Sequence, residues 1–149
     1  MRSRKFWTVL FIVYSGLMLW LLFDRPGYIA GVPYWEQVTA QLNLVPLRTL
    51  RLFAGLLNSG VRSYIVMAVI NLGGNIIMFI PLGFLLPMVL PWCSSWTKIL
   101  LTTAGLIIII ELIQLFTLVG SCDIDDLILN ILGSALGFAI QQQLKKPAP

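Results

Sequence analysis

The chain has 149 residues, a length that suits a single domain, and a modest net charge of +4. Hydrophobic residues make up 58% of it, charged residues only 11%, and the mean hydropathy is +0.91. A soluble protein of this composition would lack the polar residues needed to cover its surface, so the composition predicts a protein embedded in lipid. The absence of histidine excludes His-based acid–base catalysis, Ser-His and Cys-His nucleophiles and the common zinc sites.

Four apolar runs are predicted to cross the membrane as helices. The first, residues 6–23, follows the basic start MRSRK, and because no small-x-small cleavage pattern comes after it, an uncleaved span is the better interpretation. The second, residues 64–90, contains Pro81 and Pro87, which predicts a kinked or tilted helix. The third and fourth are residues 99–119 and 125–144. Since a span needs about 20 residues, we expect an all-α membrane protein with four transmembrane helices in one domain, residues 1–149.

The lysines and arginines predict that both termini are cytoplasmic. With that orientation the cytoplasmic segments contain six cations and no acid: Arg2, Arg4, Lys5, Lys98, Lys145 and Lys146. The outer segments contain the other four cations, diluted along one long loop: Arg25, Arg48, Arg51 and Arg62. Cys93 and Cys122 then fall on opposite sides, so a disulfide between them is not expected.

An amphipathic helix is predicted in the outer interface, between the first two spans. In NLVPLRTLRLFAGLLN, Arg48 and Arg51 are three residues apart and therefore share a helical face. Another face carries four apolar residues: Leu47, Leu50, Ala54 and Leu57. Two interpretations stay open for the basic face. It simply meets water and anionic headgroups, or Arg48 and Arg51 form a dedicated phosphate contact at the interface.

Polar side chains within the spans are predicted to meet at one depth. Three helices each carry a polar pair at helical spacing: Asn71 and Asn75, Glu111 and Gln114, and Asp126 and Asn130. At about 1.5 Å per residue, most of them lie about 6–17 Å below the outer surface. A charge at mid-bilayer costs at least about 2.5–3.5 kcal/mol, so Glu111 should face the bundle interior. Small residues should permit the close helix approach this needs: Gly73, Gly74, Gly133 and Gly137.

The acidic segment DIDD, residues 123–126, has several interpretations. Asp123 or Asp125 is expected to cap the fourth span, but capping needs one acid and the segment has three. D-x-D patterns also bind Mg²⁺ or Ca²⁺, yet the full EF-hand spacing is absent, so neither a metal nor a cofactor is predicted. The three asparagines of the spans can equally serve as bonds between helices, whereas an ionisable residue such as Glu111 indicates a functional site.

Four sequence blocks in a fixed order resemble the VanZ-like family, which is named for a teicoplanin-resistance protein of Gram-positive bacteria. They lie within residues 43–138 and read NLVPL, NIIMFIPLGFLLP, ELIQ and DIDDLILNILGSALGF. The resemblance implies a bacterial multi-pass membrane protein connected with glycopeptide or lipoglycopeptide susceptibility, but no particular reaction. It suggests nine recurrent positions: Asn75, Pro81, Gly83, Glu111, Gln114, Asp123, Asp126, Asn130 and Gly133. Two departures are Leu47, where the family often has Phe, and Gly120, where many members carry Arg.

These observations favour a polar pocket that opens to the outer leaflet and binds without catalysis. Its expected ligand-binding residues are Asn71, Asn75, Glu111, Gln114, Asp123, Asp125, Asp126 and Asn130. The expected partners are membrane lipids, a lipid-linked wall precursor or the lipoglycopeptide, and no nucleic acid. An enzyme that modifies a headgroup, with Glu111 or Asp126 as acid or base, is the second hypothesis. A path for ions or solutes is third, because polar residues do not continue into the inner half.

Overall fold

The computed structural model describes residues 3–24 and 27–145. The described chain contains six α-helices: α1 (Arg4–Phe23), α2 (Tyr34–Ala40), α3 (Arg48–Leu57), α4 (Arg62–Val89), α5 (Trp96–Thr117) and α6 (Ile124–Lys145). A short 3-10 helix, Pro91–Cys93, connects α4 to α5, and two two-residue strands, β1 (Leu42–Asn43) and β2 (Cys122–Asp123), pair in parallel. Arg2, Arg25 and Lys146, which enter the orientation prediction, lie outside the described residues.

Four of the helices are long and apolar enough to cross a membrane: α1, α4, α5 and α6. Each begins and ends within about three residues of the predicted span, so the expected all-α, four-span architecture is confirmed. These spans are helices because lipid offers no hydrogen-bond partners, and a helix pairs every backbone N–H and C=O within its own segment. The second span forms one continuous helix of 28 residues that includes Pro81 and Pro87.

The four long helices give the bundle two distinct ends. Arg4 donates a hydrogen bond of 2.9 Å to the Val89 carbonyl, so α1 begins where α4 ends. Gln114 donates one of 2.9 Å to the Leu22 carbonyl, which places the end of α5 beside the end of α1. We call the first the terminal end. The second is the loop end, where Asp24 and residues 27–61 and 118–123 lie. Cys93 lies at the terminal end and Cys122 at the loop end, and both are free thiols.

Helices α4 and α6 approach most closely through glycine. An added Cβ would lie 1.8–2.1 Å from a carbonyl oxygen of the facing helix at three positions: Gly83, Gly133 and Gly137. The small-residue face predicted on α6 is therefore confirmed. The expectation that Gly73 and Gly74 bring α4 close to its neighbours is wrong, since a Cβ at either would meet no atom within 4 Å. Gly83, farther along α4, allows the close approach instead, because it lies opposite the Ser134 backbone of α6.

The helix α3 lies at the predicted position between the first two spans, with a different inward face. Arg48 and Arg51 are exposed. Of the four residues predicted to form its apolar face, only Leu50 is partly buried, together with Phe53 and Leu56. The remaining three are exposed: Leu47, Ala54 and Leu57. The inward face thus repeats at every third residue, because α3 packs against α4 and α6 and does not lie free on the bundle.

Candidate functional site

Six polar side chains from three helices line one cavity of about 330 Å³ near the loop end. They are Asn71 and Asn75 of α4, Glu111 and Gln114 of α5, and Asp126 and Asn130 of α6. The structure therefore brings together the three polar pairs that helical spacing picked out in the sequence. Leu21 and Leu22 of α1 and the turn residues Gly120 and Ser121 complete the lining at the loop end.

Two hydrogen bonds fix the helices around this cavity. Asn75 donates from Nδ2 to the Asp126 carboxylate at 2.5 Å and joins α4 to the first turn of α6. A carboxylate there also complements the positive end of the α6 dipole. The bond from Gln114 to Leu22 joins α5 to α1. Asn71 is more exposed, and its amide donates to the Met67 carbonyl of its own helix at 2.9 Å.

Two buried acceptor atoms in the cavity lining have no donor among the described residues. Glu111 is 6% exposed, and its Oε2 accepts from the Cys122 thiol at 3.7 Å, while its Oε1 has no partner. Asn130 is also 6% exposed, and its Oδ1 has no partner. Buried polar groups are nearly always paired, so two orphaned oxygens in the lining of one cavity call for an explanation. A ligand that donates hydrogen bonds would provide it.

Asp125 lies outside the cavity lining and caps a different helix. Its carboxylate is completely buried and accepts from the backbone N–H groups of Leu47 at 2.6 Å, Thr49 at 2.8 Å and Leu50 at 3.1 Å. Those N–H groups belong to the start of α3, whose own N-cap residue, Leu47, has no side-chain oxygen to offer. Asp125 thus supplies from α6 the cap that α3 lacks.

Asp123 also lies outside the lining and joins three segments. Its Oδ1 accepts from the Asp125 backbone N–H at 2.9 Å, so it is Asp123 that caps α6, one of the two caps expected from the sequence. Its Oδ2 accepts from the Thr49 hydroxyl at 2.5 Å and from Asn43 at 3.1 Å. Asn43 is also the residue that pairs with Asp123 in the two-stranded sheet. The first and last of the four sequence blocks therefore lie side by side.

A second, apolar groove of about 180 Å³ shares Glu111 with the polar cavity. Its other lining residues come from the β1 end, α5, β2 and α6: Leu44, Ile108, Leu112, Cys122, Ile124 and Leu127. Sequence reasoning did not find this groove or the contact between Cys122 and Glu111. No short sequence pattern indicates either feature, because the residues involved lie up to about 80 positions apart and only the fold brings them together.

Two hydroxyl side chains and a glutamine are buried beyond the cavity, and the hydroxyls were not expected there. Thr103 of α5, Ser134 at the middle of α6 and Gln141 near the end of α6 are all completely buried. The hydroxyls of Thr103 and Ser134 lie 2.8 Å apart, and the Gln141 amide lies 3.8 Å from the Met88 sulfur. Small hydroxyl residues are common between membrane helices because they allow close packing and bond across the interface. These side chains are packed between helices, which does not favour a solute path.

Neither arginine of α3 lines the cavity. Within the described ranges, no group of three or more Cys, Asp or Glu side chains has an arrangement that could hold a metal ion. The oxygens of Asp123 and Asp125 are instead occupied by the chain's own donors. What the site offers is a polar cavity edged by the carboxylates of Glu111 and Asp126, with an apolar groove behind Glu111.

Comparison with known proteins gives one match. The profile of the family described as VanZ/LLP1 matches residues 11–145, which include all six polar residues of the cavity and the acidic segment beside it. No curated protein and no solved structure matches the chain. Because the match extends over nearly the whole chain and over all four apolar helices, this membrane protein belongs to the VanZ/LLP1 family.

Proposed function

We propose that this protein acts in the bacterial cell envelope by binding, without catalysis, a lipid headgroup, a lipid-linked wall precursor or a lipoglycopeptide, and so alters glycopeptide susceptibility. One observation carries the proposal. Six polar side chains surround a single cavity within the bundle, and two of them, Glu111 and Asn130, present buried acceptor atoms without donors. A bound polar group would supply those donors.

The energetic cost of the arrangement supports a binding role. Leaving a buried acceptor unsatisfied costs about 1–3 kcal/mol, and more for a charged group. Intramembrane carboxylates are rare for the same reason and usually mark a functional pathway or site. Replacing Glu111 by an apolar residue would remove this cost. We attribute its presence to the ligand that it contacts.

The proposal places the loop end at the outer face of the membrane and both termini in the cytoplasm. Among the described residues, the terminal end carries the cations Arg4, Lys5, Lys98 and Lys145 and no acid. An excess of lysine and arginine is typical of cytoplasmic segments. With this orientation α3 lies in the outer interface, where Arg48 and Arg51 are exposed and reach lipid phosphates.

Labelling in whole cells tests the orientation. A cysteine introduced at Tyr34, which is exposed at the loop end, should react with a membrane-impermeant thiol reagent. A cysteine at Ser3, at the terminal end, should react only after the membrane is permeabilised. Labelling of the Ser3 variant in intact cells would reverse the orientation and the proposed site of action.

An enzyme with Glu111 or Asp126 as acid or base is the second candidate. It is favoured by the Cys122 thiol, 3.7 Å from Glu111, which places a potential nucleophile beside a carboxylate. However, burial and the neighbouring carboxylates of Glu111 and Asp123 raise the pKa of that thiol. A raised pKa reduces the thiolate, which is the nucleophile. Binding therefore comes first.

Mass spectrometry of lipids and wall precursors, from cells with and without the protein, separates the two candidates. An unchanged profile with altered glycopeptide sensitivity supports binding, and a new modified species supports the enzyme. In the same cells, the double variant Glu111→Gln, Asp126→Asn should abolish drug tolerance while the protein still accumulates, because both changes keep the side-chain volume but remove charge. Glu36→Gln, an exposed carboxylate of α2, is the matched control. Full tolerance in the inserted double variant would refute a role for the carboxylates.

A further inference from the structure

We infer that the group held in the cavity is a primary ammonium, carried by a membrane amphiphile whose hydrocarbon chain occupies the apolar groove beside Glu111. This inference rests on the proposed function and names the chemistry of its ligand. Four properties of the site support it: the unpartnered acceptor atoms, the charge of the lining, the scarcity of aromatic side chains and the neighbouring apolar groove.

The unpartnered atoms are a carboxylate oxygen and an amide oxygen, and both accept hydrogen bonds. Glu111 Oε1 and Asn130 Oδ1 are buried acceptors on two different helices, and both side chains line the same cavity. A phosphate, carboxylate or carbonyl would bring more acceptor oxygens against them and leave them unsatisfied. The complementary ligand is therefore a donor.

The charge of the lining favours a cationic donor over a neutral hydroxyl. The Glu111 carboxylate lines the cavity, and no lysine or arginine is among its described lining residues. Charges in a poorly solvated site are weakly screened, and a buried carboxylate is stabilised when an opposite charge with hydrogen-bond donors lies against it. An ammonium supplies both the charge and the donors.

The donor count favours a primary ammonium over a quaternary one. A primary ammonium has three N–H donors, enough for Glu111 Oε1 and Asn130 Oδ1 with one remaining for water or for the ligand's own phosphate. A quaternary ammonium has no N–H, and proteins bind it with cages of several aromatic rings. Phe79 is the single aromatic side chain among the described lining residues.

The apolar groove indicates that the ammonium belongs to an amphiphile. Glu111 lines both the polar cavity and this groove, whose remaining surface is almost wholly hydrocarbon. A hydrocarbon chain lying in the groove would be held beside the carboxylate that receives the head. An aminated phospholipid and an amine-bearing lipid-linked wall precursor share this chemistry, so the test must distinguish these two sources.

Native mass spectrometry of the purified full-length protein tests the inference directly. The protein is incubated with equal amounts of phosphatidylethanolamine, phosphatidylcholine and phosphatidylglycerol that carry identical acyl chains. We expect phosphatidylethanolamine to be retained about tenfold over the other two, the difference that one charged hydrogen bond produces. Equal retention of phosphatidylcholine, or a preference for phosphatidylglycerol, would overturn the inference for phospholipids.

Variants of the two acceptors locate the preference. Glu111→Gln and Asn130→Leu should each reduce it severalfold, whereas Asn130→Asp keeps an acceptor and should preserve it. Glu36→Gln is again the matched control, and thermal unfolding of each variant verifies that the fold persists. A preference unchanged in both Glu111→Gln and Asn130→Leu would show that the ammonium binds elsewhere and would refute the inference.

Two further arms separate the remaining outcomes. If phospholipids are not retained, a lipid-linked wall precursor is compared with its N-acetylated form, and selective binding of the free amine supports the precursor as the source.

Arg25 lies outside the described residues, so Arg25→Gln is included. A phosphatidylethanolamine preference that appears only in this variant would mean that the chain's own guanidinium serves the carboxylates, which overturns the inference. If neither amine binds while drug tolerance still requires Glu111 and Asp126, the ammonium inference fails and the proposed function stands.

Discussion

Helices α4 and α6 pass through two regions of the bundle that are built differently. Toward the terminal end they touch backbone to backbone at Gly83, Gly133 and Gly137, and bulky side chains such as Leu86 and Phe138 are almost completely buried. Toward the loop end the same two helices line the polar cavity and are joined by the side chains of Asn75 and Asp126. A single helix pair thus changes its mode of association along its length.

The difference follows from the forces available in lipid. Between membrane helices the hydrophobic effect contributes little, so association depends on van der Waals packing and on hydrogen bonds. The terminal half uses packing, which requires residues without a Cβ at the contact. The loop half uses the hydrogen bond between the Asn75 and Asp126 side chains. We therefore expect stability to depend mainly on the terminal half and ligand chemistry on the loop half.

The largest expected effect is at Gly137, where Ala should break the packed half. An added Cβ would lie 1.9 Å from the Ile80 carbonyl oxygen, and because that oxygen is part of the α4 backbone, the helices themselves must move apart. Overpacking typically costs about 1–3 kcal/mol, and a contact with rigid backbone belongs at the upper end of that range. Thermal unfolding of the purified variant in detergent should show a clearly lowered midpoint, or the protein should fail to accumulate.

Gly105→Ala is the matched control, because a Cβ at that position of α5 meets no atom within 4 Å. It should be neutral or slightly stabilising, since alanine favours the helix. Equal stability of the Gly137 and Gly105 variants would mean that the glycine contact does not hold α4 to α6.

A smaller and local effect is expected for Asp125→Asn, which changes the contact between the start of α6 and the start of α3. Both carboxylate oxygens of Asp125 accept backbone N–H groups of Leu47, Thr49 and Leu50. An asparagine would turn its NH₂ group toward one set of these donors, so it is a poor substitute here although it is a good cap in general. We expect a loss of about 1–2 kcal/mol. Faster hydrogen exchange in α3 should reveal it.

The neighbouring change Asp126→Asn provides the control for this experiment. It has the same chemistry one residue away, but its carboxylate faces Asn75 and the cavity. Exchange in α3 should therefore stay as in the unmodified protein. If both variants release α3 equally, the acidic segment acts as one unit and the separate roles assigned to its members are wrong.

Much of the fold and the core of the cavity could be predicted from the sequence, because both depend on short-range patterns. A run of about 20 apolar residues is enough to predict a span. Pairs such as Glu111 with Gln114 share a face through helical spacing, and the cost of exposing them to lipid dictates that they point inward. The pairing with polar residues on other helices then follows from equal depth.

The roles of the individual acids could not be predicted, since they depend on contacts between distant segments. Asp123, Asp125 and Asp126 are nearly consecutive, yet they cap α6, cap α3 and line the cavity, respectively. One of the three partners of Asp125, Thr49, lies 76 positions away along the chain. One local signal was available: α3 begins after Leu47, a residue that cannot cap, so a cap from elsewhere was needed. The wrong expectation that Gly73 and Gly74 bring α4 close to its neighbours has the same origin. Small residues permit close approach of two helices but do not specify where it occurs.

The smallest expected effect concerns Cys122, where the loop-end connection meets the cavity region. Burial, followed by the neighbouring carboxylates of Glu111 and Asp123, raises the pKa of this thiol. Because only the thiolate reacts, a raised pKa means less reactive species at neutral pH, and the labelling rate should keep rising with pH beyond the range of an ordinary thiol.

An exposed cysteine at Ser59, introduced together with Cys122→Ser, provides the reference at the same end of the bundle. We expect the native thiol to react more slowly at pH 7 with a small neutral reagent, and Glu111→Gln to accelerate it, because the amide removes the repulsion between carboxylate and thiolate. If Glu111→Gln leaves the rate and its pH profile unchanged, the carboxylate and the thiol are not neighbours in the membrane. The contact that joins the polar cavity to the apolar groove at Glu111 would then be refuted.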